Sequence, residues 1–209
     1  MTDLTAAAAI TPLRLRMLAA RCDAQALAPV LDAACARHGI DTPARVRNFL
    51  AQLSVESWGF TRLEEDLDYS DPKRLMALFA HKIPALSLAQ GLVHQPEKLA
   101  NLIYGGRFGN SEPGDGWRYR GRGFIGITFK DNYAAASPHA GVDLVADPDQ
   151  LAVPAIAAET AASWWSVRGL NDLADRGDVL AISHEVNGGA NGLSDREAVL
   201  KTAQLIWPG

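Results

Sequence analysis

The chain of 209 residues has only two cysteines, Cys22 and Cys35, and no long apolar run. There is no CxxC and no histidine at ligand spacing, which excludes a zinc knuckle or a disulfide scaffold. The two thiols read as reduced core residues, with a bridge between adjacent helices as the remaining alternative. The longest stretch free of Asp, Glu, Lys and Arg runs from Ile83 to Pro96 and is interrupted by Pro84 and Gly91. It is too short and too broken to cross a bilayer, so no integral membrane segment is expected. The N-terminus lacks a basic n-region, and Arg14 and Arg16 cut its apolar stretch. No Sec-type signal is therefore read, and synthesis in the cytoplasm is expected. A net charge of -4 and a pI near 5.7 argue against a nucleic-acid binder. The five histidines form no HExxH or comparable pair, so neither a metal nor another cofactor is expected.

What is present points to helix. Hydrophobic residues make up 48% of the chain, enough for a full core. The 35 alanines favour helix, and Val and Ile do not gather into alternating runs that would make a large sheet. A length of 209 residues suits a single domain, here taken as residues 1–209, and a monomer is the default.

Apolar positions between residues 12 and 37 follow helical spacing and predict two short helices broken near Pro29. Residues 1–39 are expected to form a helical N-terminal segment, and residues 40–209 carry the motifs. Thr42 with Pro43 predicts a helix start, followed by Val46, Phe49, Leu50 and Leu53 on one face. Asp71 with Pro72 repeats that signal. From Tyr104 to Tyr133 the chain is rich in glycine, with Trp117, Tyr119 and Phe124 and arginines at 118, 120 and 122. This predicts an irregular centre with a short β-hairpin. Helix resumes after Pro154 and stops at Gly169; Asp178 caps a further helix, and Ser194 to Glu197 has capping-box spacing. Asn187 to Gly192 predicts a tight turn between helices.

Several residues can carry chemistry. Glu56 lies seven positions after Phe49, about 700° around a helix and so within about 20° of that core residue. A carboxylate there is either at a frayed helix end or held in a dry cleft, where desolvation would keep it protonated as a general acid. Glu64, Glu65, Asp66 and Asp68 make either a solvated acidic face or the source of a second carboxylate. Hydrolysis of a glycosidic bond requires two carboxylates of unequal acidity. The arginines around Arg122 fit either an exposed hairpin edge or a sugar cleft. Gly121 to Gly126 spells GxGxxG, but a polar, aromatic segment precedes it, and no βαβ unit exists to build a dinucleotide site.

Taken together these segments resemble glycoside hydrolase family 19. The stretch Ala51-Gln52-Leu53-Ser54-Val55-Glu56-Ser57-Trp58-Gly59-Phe60 with Leu63 to Ser70 resembles the start of its catalytic region. Gly114 to Thr128 resembles its central signature, and Asn132-Tyr133, Asn187-Gly188-Gly189 and Asn191 to Arg196 complete the order. The spacing is most similar to the compact chitinase-like endolysins of phages and bacteria. The resemblance implies a mainly α, lysozyme-like, two-lobed domain with its cleft between the lobes. It also implies an inverting mechanism on β-1,4 links next to N-acetylglucosamine. Residue by residue, Glu56 matches the general acid, Glu65 the general base, and Thr128 a hydroxyl that helps hold the attacking water. Tyr119, Asn132 and Asn187 match sugar-contacting positions. Arg196 matches a basic residue near the carboxylates, expected to help keep Glu65 ionised. Arg122 is taken with the substrate-binding set. Three positions depart from the family: Val55 in place of His, Trp58 where many members have Gly, and Gly126 in place of a substrate-binding Gln.

The expected activity is hydrolysis of bacterial peptidoglycan between N-acetylmuramic acid and N-acetylglucosamine. The enzyme would act at the cell wall after delivery by a holin or a secretion system. Chitin cleavage and a wall-binding module without catalysis are the alternatives.

Overall fold

A computed structural model of the protein describes residues 7–189 and 192–209. The helix starts lie where proline and a capping oxygen coincide. Thr42 accepts a hydrogen bond from the Arg45 N–H at the head of Pro43–Glu56, and Asp71 accepts one from Lys73 at the head of Pro72–Leu78. Proline fits these first turns because its missing N–H has no intrahelical partner there. Asp178 caps Val179–Asn187 through the Ala181 N–H, as its spacing predicts.

Two starts differ from expectation. The N-terminal pair is Pro12–Leu18 and Ala24–Arg37, and Pro29 lies inside the second helix. The break falls at residues 19–23, where the Asp23 side chain accepts from the Ala26 N–H and begins a new helix. The buried stripe of Leu27, Leu31 and Ala34 carries the helix through the single backbone bond that Pro29 cannot make. The last helix, Leu193–Ile206, begins one residue before the expected capping serine. Gly192 turns into it at φ +71°, so Ser194 sits in the first turn instead of capping it. Ala190 and Asn191 of the predicted turn lie outside the described residues.

The apolar residues gather into three clusters among the described residues. The largest joins Ala24–Arg37, Pro43–Glu56, Pro154–Val167 and Leu193–Ile206, with Phe49 edge-on to the buried Trp165 at 5.3 Å. Pro154–Val167 packs on Ala24–Arg37, and Leu193–Ile206 packs on Pro43–Glu56. A second cluster, built on Leu67, Leu75, Ile83, Leu99 and Ile103, forms the core of a smaller lobe. A third surrounds Tyr119, Tyr133, Leu144 and Leu151. Both cysteines are buried and free in the first cluster, and burial pushes both thiols above their ordinary range. The bridge alternative is thus not realised.

The centre is irregular, as its glycines predict, but the hairpin shrinks to two isolated antiparallel bridges, Glu64 with Arg122 and Arg122 with Ile127. Asp115–Arg118 forms a helical turn instead of a strand. Gly116 allows it, because a Cβ there would lie 2.6 Å from the Ala100 carbonyl oxygen of the Pro96–Tyr104 helix. That close approach locks the centre to the smaller lobe.

Candidate active site

Between the large core and the smaller lobe runs a cavity of about 640 Å³. Its walls include Glu56, Trp58 and Arg62 on one side, Glu65, Gly121 and Thr128 across the middle, and Tyr69 and Arg74 at the smaller lobe. Two segments far apart in sequence therefore bring the expected carboxylates and Thr128 to one cleft.

Glu56 is the last residue of Pro43–Glu56, and Ser57 closes the helix with its N–H on the Leu53 carbonyl. Its carboxylate is a quarter exposed and not enclosed in the dry pocket that its place on the apolar stripe suggests. The guanidinium of Arg196 donates to Glu56 Oε1 through Nη2 and to Gln52 Oε1 through Nη1, the latter at 2.6 Å. Arg196 is itself buried, presented from the first turn of Leu193–Ile206 against the helix of Glu56. Arg196 is near the carboxylates as expected, but the expectation that it helps keep Glu65 ionised is corrected: the carboxylate it bonds is Glu56, and the cation acting on Glu65 is Arg122. Gln52, one helical turn before Glu56, orients the guanidinium. Its i−4 spacing was the only trace of this role in the sequence.

Glu65 lies in irregular chain after the first wall. Its backbone N–H donates to the Gly121 carbonyl at 2.9 Å, and the Gly121 N–H returns a bond to Glu65 Oε1 at 2.6 Å. Tyr104, at the end of Pro96–Tyr104, donates its hydroxyl to Oε2 at 2.8 Å. Burial raises the pKa of Glu65 from its ordinary value, and it outweighs these two hydrogen bonds and the nearby Arg122 charge. Burial, with the Glu65 charge beside it, drives Tyr104 well above the usual phenol range, so it remains a donor. Asn110 fixes Tyr104 in turn, donating to its carbonyl at 3.1 Å. Nothing in the local sequence singles out Tyr104 as a carboxylate partner, because the contact joins residues 39 apart.

Thr128 donates to the Gly126 carbonyl at 3.1 Å. A Cβ on Gly121 would lie 3.3 Å from both the Glu65 carboxyl carbon and Thr128 Oγ1. Glycine thus keeps the gap between carboxylate and hydroxyl open. Asn132 is exposed and donates to the Thr128 carbonyl at 2.7 Å. It lines a second cavity of about 570 Å³ that shares Gly126 and Thr128 with the first and is otherwise walled largely by apolar side chains. Asn187 is the exposed last residue of Val179–Asn187, outside the described walls of both cavities.

Two expected sugar contacts are core residues instead. Tyr119 is 2% exposed, donates its hydroxyl to the Val145 carbonyl at 3.1 Å, and packs edge-on to Tyr133 at 5.4 Å. Arg122 is 2% exposed and donates to the Arg118 carbonyl at 2.7 Å, to the Tyr133 hydroxyl at 3.0 Å and to Asp149 at 2.6 Å. Burial pushes the Tyr133 phenol up to about 12. Arg120 stacks over Trp117 at 3.8 Å and pairs with Glu64. The arginine-rich centre is therefore a set of struts: Arg118 donates to the Val145 and Ala146 carbonyls, Arg120 to the Trp117 carbonyl and Arg122 to the Arg118 carbonyl.

The sequence profile of the family described as chitinase class I, glycosyl hydrolase family 19, matches residues 84–180. A glycosyl hydrolase family 19 domain-containing protein of Haemophilus influenzae is 40% identical over 151 residues, which cover 71% of this chain and 72% of that protein. The chain belongs to glycosyl hydrolase family 19. Solved structures similar to this family 19 chain include a mutant of chitinase C, with a TM-score of 0.67 at 14% identity over 99% of this chain and 95% of that one. Chitinase C from Streptomyces griseus aligns with a TM-score of 0.66 at 17% identity, over 95% and 92% of the two chains. A bacterial family 19 chitinase gives 0.63 at 18%, covering 95% of each chain. At these identities the structures establish the fold, which is the lysozyme-like helical fold of family 19. The chain is a glycoside hydrolase with a polysaccharide substrate, and the non-catalytic module is set aside.

Proposed function

We propose that this enzyme hydrolyses the β-1,4 bond between N-acetylmuramic acid and N-acetylglucosamine in bacterial peptidoglycan, with inversion. The observation that carries the mechanism is the pair of glutamates lining one cleft in opposite settings: Glu56 on a cation, Glu65 on neutral donors. Glu56 protonates the leaving glycosidic oxygen. As it gives up the proton its carboxylate gains charge, and Arg196 is already in place to stabilise that charge. Glu65 is the base. Both its oxygens accept hydrogen bonds, the arrangement of an ionised carboxylate, while its raised pKa makes it a stronger proton acceptor than an exposed glutamate. The attacking water sits in the gap that Gly121 leaves between Glu65 and Thr128, and Glu65 takes its proton as it adds to the anomeric carbon. Inverting glycosidases hold their two carboxyl groups roughly 6.5–9.5 Å apart, so that water fits between base and sugar.

The second cavity supports peptidoglycan over chitin. Muramic acid carries a lactyl-peptide branch that chitin lacks. The side cavity opens from the cleft at Gly126, where a Cβ would meet nothing within 4 Å, and it offers apolar wall together with Arg168 and His139. A branch of mixed apolar and acidic character fits that lining. Asn132, which lines this cavity, would contact the sugar that bears the branch. The chitinase reading is favoured by what the similar solved proteins are called. Mass spectrometry of digested sacculi separates the two. Products with reducing-end N-acetylmuramic acid are expected, and cleavage of chitin oligosaccharides with intact sacculi would overturn the peptidoglycan assignment.

A further inference from the structure

Two residues after Glu56 the backbone does something a tryptophan normally avoids. Trp58 has φ +53°, followed by Gly59 at +69° and Phe60 at +60°. Only glycine enters the left-handed region without steric cost, and a bulky residue held there is a rarity that the surroundings must enforce. They do. Gly59 N–H donates to the Ser54 carbonyl at 2.7 Å, and Thr61 donates its hydroxyl to the Trp58 carbonyl at 2.8 Å. The Phe60 N–H donates to the Ser57 hydroxyl at 3.1 Å, and the Phe60 ring is buried edge-on to Phe124 at 5.9 Å.

The strained residue keeps its large side chain in the open. Trp58 is 67% exposed and lines the same cavity as Glu56. One face of the indole is covered by the guanidinium of Arg62 at 5.1 Å, and Arg62 is held by Asp66 at 3.6 Å. Burial in the core does not account for a ring so exposed, and glycine would sit in this backbone with less strain. The residue type is therefore explained by what the ring offers the cleft.

We propose that Trp58 is a stacking platform for one sugar ring of the polymer, a binding position belonging to this chain's own cleft. The apolar C–H face of an N-acetylhexosamine lies flat on the indole, which removes both surfaces from water, while Arg62 holds the ring from behind. The left-handed turn fixes the direction of the indole before substrate arrives, so little side-chain freedom is lost on binding. The proposal rests on the reading that the polymer is cut in the cleft of Glu56 and Glu65.

The test compares Trp58→Gly and Trp58→Phe with the wild type on whichever polymer the wild-type enzyme cleaves, sacculi or chitin, with melting temperatures recorded alongside. Trp58→Gly is expected to raise KM about tenfold or more. Its kcat should stay within a few-fold of wild type, and its melting temperature should be unchanged or higher, because glycine relieves the left-handed backbone. Trp58→Phe should keep most of the affinity. An unchanged KM in Trp58→Gly would overturn the platform, and so would a clear fall in melting temperature, which marks a structural ring. Glu56→Gln in the same assay keeps the two ideas apart. If Glu56→Gln retains activity, the proposed catalytic cleft fails; if it is inactive while Trp58→Gly binds normally, only the platform fails.

Discussion

The two walls of the cleft use the same side chain in different physical settings. On one wall Glu56 ends a regular helix, is a quarter exposed, and faces a buried arginine from the last helix. On the other Glu65 sits in irregular chain, faces a phenol and a backbone amide, and is raised in pKa by burial. A cation stabilises negative charge that forms during the reaction. A buried site with neutral hydrogen-bond donors makes a carboxylate a better base, since burial outweighs the nearby Arg122 charge. In the proposed mechanism, chemistry that requires two unlike carboxylates is obtained from two glutamates by their environments.

The comparison breaks most severely if either glutamate is neutralised. Glu56→Gln and Glu65→Gln should each lower kcat on the polymer the wild-type enzyme cleaves by roughly 10²-fold or more, measured by release of reducing ends, since each removes one proton-transfer group of the proposed mechanism. Equal retention of activity in both variants would show that the cleft is not where the bond is cut. Arg196→Ala should come next, with a loss of about 10–100-fold in kcat and a smaller change in KM, because it removes the cation that would stabilise the Glu56 carboxylate once its proton is given up. Arg122→Ala tests a structural claim. It removes charge-assisted bonds from a buried side chain and should destabilise the fold by about 2–3 kcal/mol, read as a melting temperature several degrees lower.

Tyr104→Phe is the mildest and the most specific of these changes. The hydroxyl bond favours the ionised form of Glu65, so its loss raises the Glu65 pKa further. The base works only when ionised, and activity is lost as pH falls through that pKa. The acid limb of the kcat/KM profile should therefore move to higher pH, by about one unit. A limb that stays in place would separate Tyr104 from Glu65. The same raised pKa has a stability consequence of fixed sign. The protonated form is the one the fold prefers, so Glu65 favours folding most at acid pH, and that contribution is lost as pH rises through its folded value.

Much of the helical framework was legible. Thr42-Pro43, Asp71-Pro72 and Asp178 announce helix starts because a cap is a contact between residues two or three apart. The same locality explains the misreadings. Pro29 reads as a breaker from local rules, yet tertiary burial of Leu27 and Leu31 carries the helix through it. Trp117, Tyr119, Arg120 and Arg122 have the composition of a sugar cleft, but their partners are Val145, Glu64 and Asp149, up to 56 residues away, and those partners turn the rings and guanidinium groups into supports. A residue type declares what chemistry it can do; its partner decides whether that chemistry faces solvent.

The sparse cysteine and the absent long apolar run left a helical chain to stabilise itself by core burial, and local signals were enough to place most of its helices. The order of motifs from Glu56 to Arg196 was likewise readable, because it belongs to the chain itself. What only the tertiary structure decided is which charge meets which carboxylate. Arg196 donates to Glu56, and Tyr104 with Gly121 donates to Glu65. Those pairings, and the burial that raises the Glu65 pKa, exist only once segments 39 to 140 residues apart have packed together.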